Sequence, residues 1–150
     1  MSPRFLKPRR ILVIANETVT SETLRAAIAE GAAGADLLVV APALNTRARY
    51  WTSDDRRARA AAERRLQRSL DALAKAGYPV TGYVGDANPL VAIEDALRLF
   101  PAQGVIIATH PPGRSHWLAR NVVPAARERF DLPIAHVVVP TARAPALAAA

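Results

Sequence analysis

An alternation constrains this chain more than any single motif. Five short apolar runs recur along it: ILVIA at 11–15, LLVVA at 37–41, YPVTGYV at 78–84, VIIA at 105–108 and PIAHVVV at 133–139. Four stretches with apolar residues at helical spacing separate them. Runs that stay apolar for four or five residues suit strands covered on both faces, as in a parallel sheet. Strands that alternate with helices require right-handed crossovers, which gives a doubly wound, three-layer α/β/α domain. Periodicity alone leaves the strand order open.

The length of 150 residues suits one domain. Its core is expected over about 9–139, between a basic leader and a loose tail, PTARAPALAAA, that lacks patterned apolar content. With no cysteine, disulfides, thiol catalysis and cysteine-ligated zinc are excluded. No run approaches the ~18 residues of a membrane span. The leader MSPRFLKPRR precedes an apolar run too short for a signal peptide. A soluble, cytoplasmic protein with no membrane role is expected.

The formal charge of +7 rests almost wholly on arginine. A basic balance can attract nucleic acid or other polyanions. The second helical stretch presents Arg56, Arg57, Arg59, Arg64, Arg65 and Arg68 against few acids. The expectation is a solvent-facing surface rather than a nucleic-acid site. Arg47, Arg49, Tyr50 and Trp51 in the loop at 42–52 are expected to pack that loop onto the domain rather than to stack on bases.

Local signals punctuate the helices. Thr20 or Ser21 caps the first, whose stripe is Leu24, Ala27 and Ile28 and whose end is marked by Gly31 and Gly34. Ser53 caps the second, with Asp54 and Asp55 at its positive end. Its stripe is Ala62, Leu66, Leu70 and Leu73, and Gly77 stops it after Ala76. Pro79 and Gly82 place the third strand at a sheet edge. Asn88 caps the third helix, with Pro89 at its first position and Leu90, Ile93, Leu97 and Phe100 as its stripe. Proline costs little only in a first turn, so Pro124 sets the fourth helix start near Asn121, as its cap.

In an open parallel sheet, ligands bind beyond the carboxyl ends of the strands, above all where the strand order reverses. The run VIIA opens there into THPPGRSHWLARN, with Gly113, Arg114 and Ser115 at its centre. This loop is the best candidate for a small-molecule site.

In the order and length of its elements over about 9–139, the chain resembles the universal stress protein family. ILVIAN closing the first strand, Gly85-Asp86 before the third helix and the final LPIAHVVV carry the resemblance. It implies an adenine nucleotide alpha hydrolase-like (HUP-type) fold with strand order 3-2-1-4-5. The loops after the first and fourth strands, beginning at Asn16 and Thr109, would then converge on one crevice. It further implies ATP or AMP in that crevice and a homodimer paired through the last strand, an edge that invites pairing. Family members hold ATP through a glycine, a second glycine three residues on, and a Gly-Ser or Gly-Thr pair nine residues later. Ala108, Pro111 and Arg120-Asn121 stand at those places here, the last one residue short, and Asn16 stands at the family's aspartate. Pro111 and Pro112 offer no N–H. Arg114, Ser115, Arg120 and Asn121 would therefore hold an anion with side chains. The implied ligand-binding set is Asn16, Ala41, Thr109, Gly113, Arg114, Ser115, Arg120 and Asn121.

No catalytic set stands out. His110 and His116 lie six residues apart without a nearby acid cluster, a poor metal site. Ser115 has no evident His–Asp pair to activate it, and Glu94 and Asp95 read as a solvated helix face. The expectation is a regulatory or stress-response domain rather than an enzyme. The alternatives are a nucleotide-independent partner-binding domain, and an enzyme acting on a phosphorylated small molecule with Arg114 and Arg120 as anion clamps.

Overall fold

The computed structural model describes residues 9–15, 22–31, 34–42, 53–86, 88–109 and 122–138. Their elements follow in the order β1 (Arg10–Ala15), α1 (Glu22–Gly31), β2 (Asp36–Pro42), α2 (Ser53–Lys75), β3 (Val80–Gly85), α3 (Pro89–Leu99), β4 (Gly104–Thr109), α4 (Val123–Arg129) and β5 (Ile134–Val138). All strand pairs are parallel, and the sheet order is β3-β2-β1-β4-β5.

Strand alternation explains the layers, because successive side chains point to opposite faces. Ile11, Val13 and Ala15 of β1 join Leu37 and Val39 of β2 and Ile106 and Ala108 of β4 beneath Leu24, Ile28, Leu66 and Leu73 of α1 and α2. Leu12, Ile14, Leu38, Val40, Val105 and Ile107 face the other way, against Ala92, Ile93 and Ala96 of α3 and Val123 and Ala126 of α4. Chain direction dictates this split. The β1-α1-β2-α2-β3 path moves outward along the sheet, whereas α3 carries it back across to β4. Right-handed crossovers in opposite directions fall on opposite faces. Each fully buried leucine or isoleucine here contributes about 2 kcal/mol of transfer free energy.

The helix ends follow the local chemistry. The Asn88 side chain accepts from the Leu90 N–H at 2.9 Å, with Pro89 at the helix start, an N-cap worth about 1 kcal/mol. Asp86 supports it by accepting from the Asn88 N–H at 2.8 Å. After α2, Gly77 takes φ 101°. The Gly77 N–H donates to the Ala74 carbonyl at 3.0 Å and the Tyr78 N–H to the Leu73 carbonyl at 3.1 Å. That is a Schellman ending, closed by Tyr78 packing on the same apolar layer as Leu73.

Several boundaries differ from expectation. Ser53 is the first residue of α2 rather than its cap. β3 begins at Val80, after Pro79, since proline brings no N–H to the ladder. The most buried face of α3 is Ala92, Ile93 and Ala96. Leu90, Leu97 and Phe100 flank it, half-buried. α4 starts at Val123 with Val122 at its cap position and no side-chain cap bond, one residue later than Asn121 would give. Pro124 still falls in the first turn. Asn121, the caps at Thr20 or Ser21, the loop at 43–52 and the tail from 139 lie outside the described residues.

Candidate functional site: the carboxyl rim at the β1–β4 reversal

The chain leaves β1 toward β2 and enters β4 from the far side, so the order reverses between β1 and β4. Ala15 and Ala108 pair in register at this reversal. Ala41, next to last in β2, lies at the same level, since Ile14 pairs with Val40. All three are buried, at 4–7% exposure, and alternation puts them on the α1/α2 side of the sheet. The rim of the three central strands thus carries only methyl groups on that side, which suits a ligand approaching the strand ends closely.

The other side of the rim carries Pro42 of β2 and the hydroxyl of Thr109. Thr109, the last residue of β4, is buried at 4% exposure, and its Oγ1 lies 2.8 Å from His136 Nε2 of β5. Thr109 pairs in register with Val138 and Ile107 with His136, so this bond crosses the strands diagonally. Burial first, and the Arg127 charge second, hold the His136 pKa below its ordinary value of 6.5. A neutral ring satisfies Thr109 in either tautomer, since the hydroxyl both donates and accepts.

Arg127 is itself anchored. Its Nε and Nη2 donate to the Ile134 carbonyl at 3.3 and 3.0 Å, tying α4 to the start of β5. Glu94 of α3 accepts from Arg129 of α4 at 2.7 Å and pairs with Arg98 at 3.3 Å. Glu94 is therefore a bridge between two helices rather than only a solvated face. These ion pairs are partly exposed and contribute a few tenths of a kcal/mol each.

Of the residues expected at a ligand, Ala41 and Thr109 sit on the rim, on different strands and opposite faces. Asn16, Gly113, Arg114, Ser115, Arg120 and Asn121 lie outside the described residues. Their neighbours Ala15 and Thr109 bring the two loops out of adjacent strands. His136 and Arg127 were not singled out from sequence. A histidine within an apolar run was the one available signal for the first; nothing local marks the second. Among the described residues there is no cluster of three metal-ligating side chains and no helix long and apolar enough to cross a membrane.

These features define an open, doubly wound α/β domain whose strand order reverses between β1 and β4. Among solved structures, the chain is similar to the universal stress protein from Archaeoglobus fulgidus, with a TM-score of 0.60 and 18% identity over 89% of this chain and 96% of that one. A likeness at that identity establishes the fold. No protein-family model matches the chain, and no curated protein matches it by sequence.

Proposed function

We propose that this chain is a universal stress protein-like regulatory domain that holds an adenine nucleotide, ATP or AMP, between the loops after β1 and β4. The observation that carries the reading is the strand reversal with its paired Ala15 and Ala108. The strand ends there are adjacent, at the position where open α/β sheets take ligands. Arg114 and Arg120 would supply the phosphate contacts that the prolines withhold from the backbone. Asn16 would hydrogen-bond the ligand from the β1 side. The domain works as a homodimer paired through β5, and its role is to sense or hold the nucleotide rather than to turn it over.

Protein purified from cells, denatured and read by mass spectrometry, is expected to release an adenine nucleotide in near-stoichiometric amount. Release of none, together with no binding of added ATP or AMP, would overturn this reading.

A further inference from the structure

The face of α2 that looks away from the sheet carries a line of positive charge. At 100° per residue, Arg57, Arg64, Arg68 and Lys75 fall within a sector of about 40°. All four are exposed. The buried Leu66 and Leu73 lie on the opposite side of the same helix, so packing on the sheet fixes the line outward. It spans about 27 Å of helix axis.

Among the described residues, no acid forms an ion pair with it. The ion pairs among the described residues join Arg98 and Arg129 to Glu94 and Asp95, on α3 and α4. The acid nearest the line, Asp71, accepts from Gln67 at 3.1 Å. Arg59, by contrast, is spent on the Val84 carbonyl at 3.2 Å. Arg56 and Arg65 flank the line, also exposed.

We propose that this face binds the phosphate backbone of nucleic acid without reading its sequence. Its chemistry selects that partner over an acidic protein. A stable protein interface needs a dry apolar or aromatic centre, and α2 contains no aromatic residue. Backbone binding needs only cations, because release of condensed counterions drives it. With no aromatic side chain on α2, bases have no ring platform to stack on, and contacts to phosphate dominate. The formal charge of +7 adds long-range attraction of the same sign.

The test is fluorescence anisotropy of the full chain with mixed-sequence DNA and RNA duplexes of about 20 base pairs. Three or four phosphate contacts give a log–log salt slope near −3, so affinity should fall roughly 40- to 150-fold between about 50 and 200 mM salt. Replacing all three arginines (Arg57→Gln, Arg64→Gln, Arg68→Gln) should flatten that slope to near −1. The matching triple lysine variant should keep it, and Arg98→Gln, on α3, should leave it unchanged. Circular dichroism melting confirms that each variant folds. Absence of binding at 50 mM salt, a slope unaltered in the glutamine variant, preference for one sequence, or tighter binding to anionic phospholipid vesicles would each overturn the proposal.

Discussion

The two edges of the sheet look alike at first and differ where it matters. In a parallel ladder alternate residues point their backbone groups away from the neighbouring strand. In β3 the Pro79 carbonyl accepts from β2, which leaves Val80, Gly82 and Val84 pointing outward. In β5 the Pro133 carbonyl accepts from β4, which leaves Ile134, His136 and Val138. Each edge has one outward carbonyl taken by an arginine from the covering layer, Arg59 on Val84 and Arg127 on Ile134. Charge placed on an edge in this way discourages further pairing. The edges part company in their side chains. β3 exposes Thr81 and carries Gly82 at its centre, whereas β5 exposes Ala135 and Val138, the latter at 46%. An edge carbonyl can be blocked by one cation, but the side chains around it decide whether another strand is welcome. β3 offers a neighbouring strand a threonine and a glycine, whereas the far half of β5 offers exposed apolar side chains.

The largest effect expected lies in β3. A Cβ added to Gly82 would lie 2.6 Å from the Val39 carbonyl oxygen and 3.0 Å from Leu70 Cδ2. Backbone cannot yield as a side chain can, so Gly82→Ala should lower stability by about 1–3 kcal/mol in urea titration. Ala135→Val on the exposed side of β5 should change it by less than about 0.5 kcal/mol. Equal losses at the two positions would mean that the edges are not packed differently.

Self-association comes next. Val138→Lys should weaken the dimer at least tenfold, about 1.4 kcal/mol, in sedimentation at micromolar concentration. Thr81→Lys on β3 should leave the distribution unchanged. Sensitivity at Thr81 and none at Val138 would move the dimer to the other edge. A protein that is monomeric both intact and without residues 141–150 would remove the dimer altogether.

A smaller difference separates the two arginines. Arg127→Ala loses two bonds to its carbonyl and Arg59→Ala loses one, so the former should be the more destabilising, by about 1 kcal/mol. An Arg59→Ala loss equal to or above that of Arg127→Ala would break the comparison.

The smallest effect is electrostatic. Because burial and Arg127 lower the His136 pKa in the folded protein, the unfolded chain takes up a proton first as pH falls. The stability this residue contributes is present above about pH 6.5 and is lost as pH drops from there through the folded value. The melting temperature should therefore decline more between pH 7 and 5 in the wild type than in His136→Asn. A parallel decline in both would sever His136 from the effect.

How legible the fold was depended on whether its cause was local. The runs at 11–15, 37–41 and 105–108 declare themselves because both their faces are buried. The Asn88–Pro89 start and the Gly77 stop are decided within a few residues, and Pro79 announces an edge. Strand order was not written in periodicity; it came with the family resemblance. Contacts that join distant segments left no local trace. Arg59 reaching Val84, Arg127 reaching Ile134 and Gly82 lying against Val39 each depend on the finished sheet. Gly82 reads in sequence as a weak strand residue, yet it stands where a side chain would meet backbone. The candidate site was legible by topology, since the carboxyl ends of β1 and β4 can be placed from the runs and the strand order. The Thr109–His136 bond was not, because it joins residues 27 apart.

The nucleotide-binding claim is tested most directly by calorimetric titration of the full chain with ATP and with AMP, in the wild type and in Arg114→Ala and Arg120→Ala. One nucleotide bound per chain is expected, with affinity reduced at least tenfold by each change, about 1.4 kcal/mol. Binding that ignores both arginines would place the nucleotide elsewhere. No heat with either nucleotide at millimolar concentration, from protein shown by mass spectrometry to carry none, would contradict nucleotide binding itself.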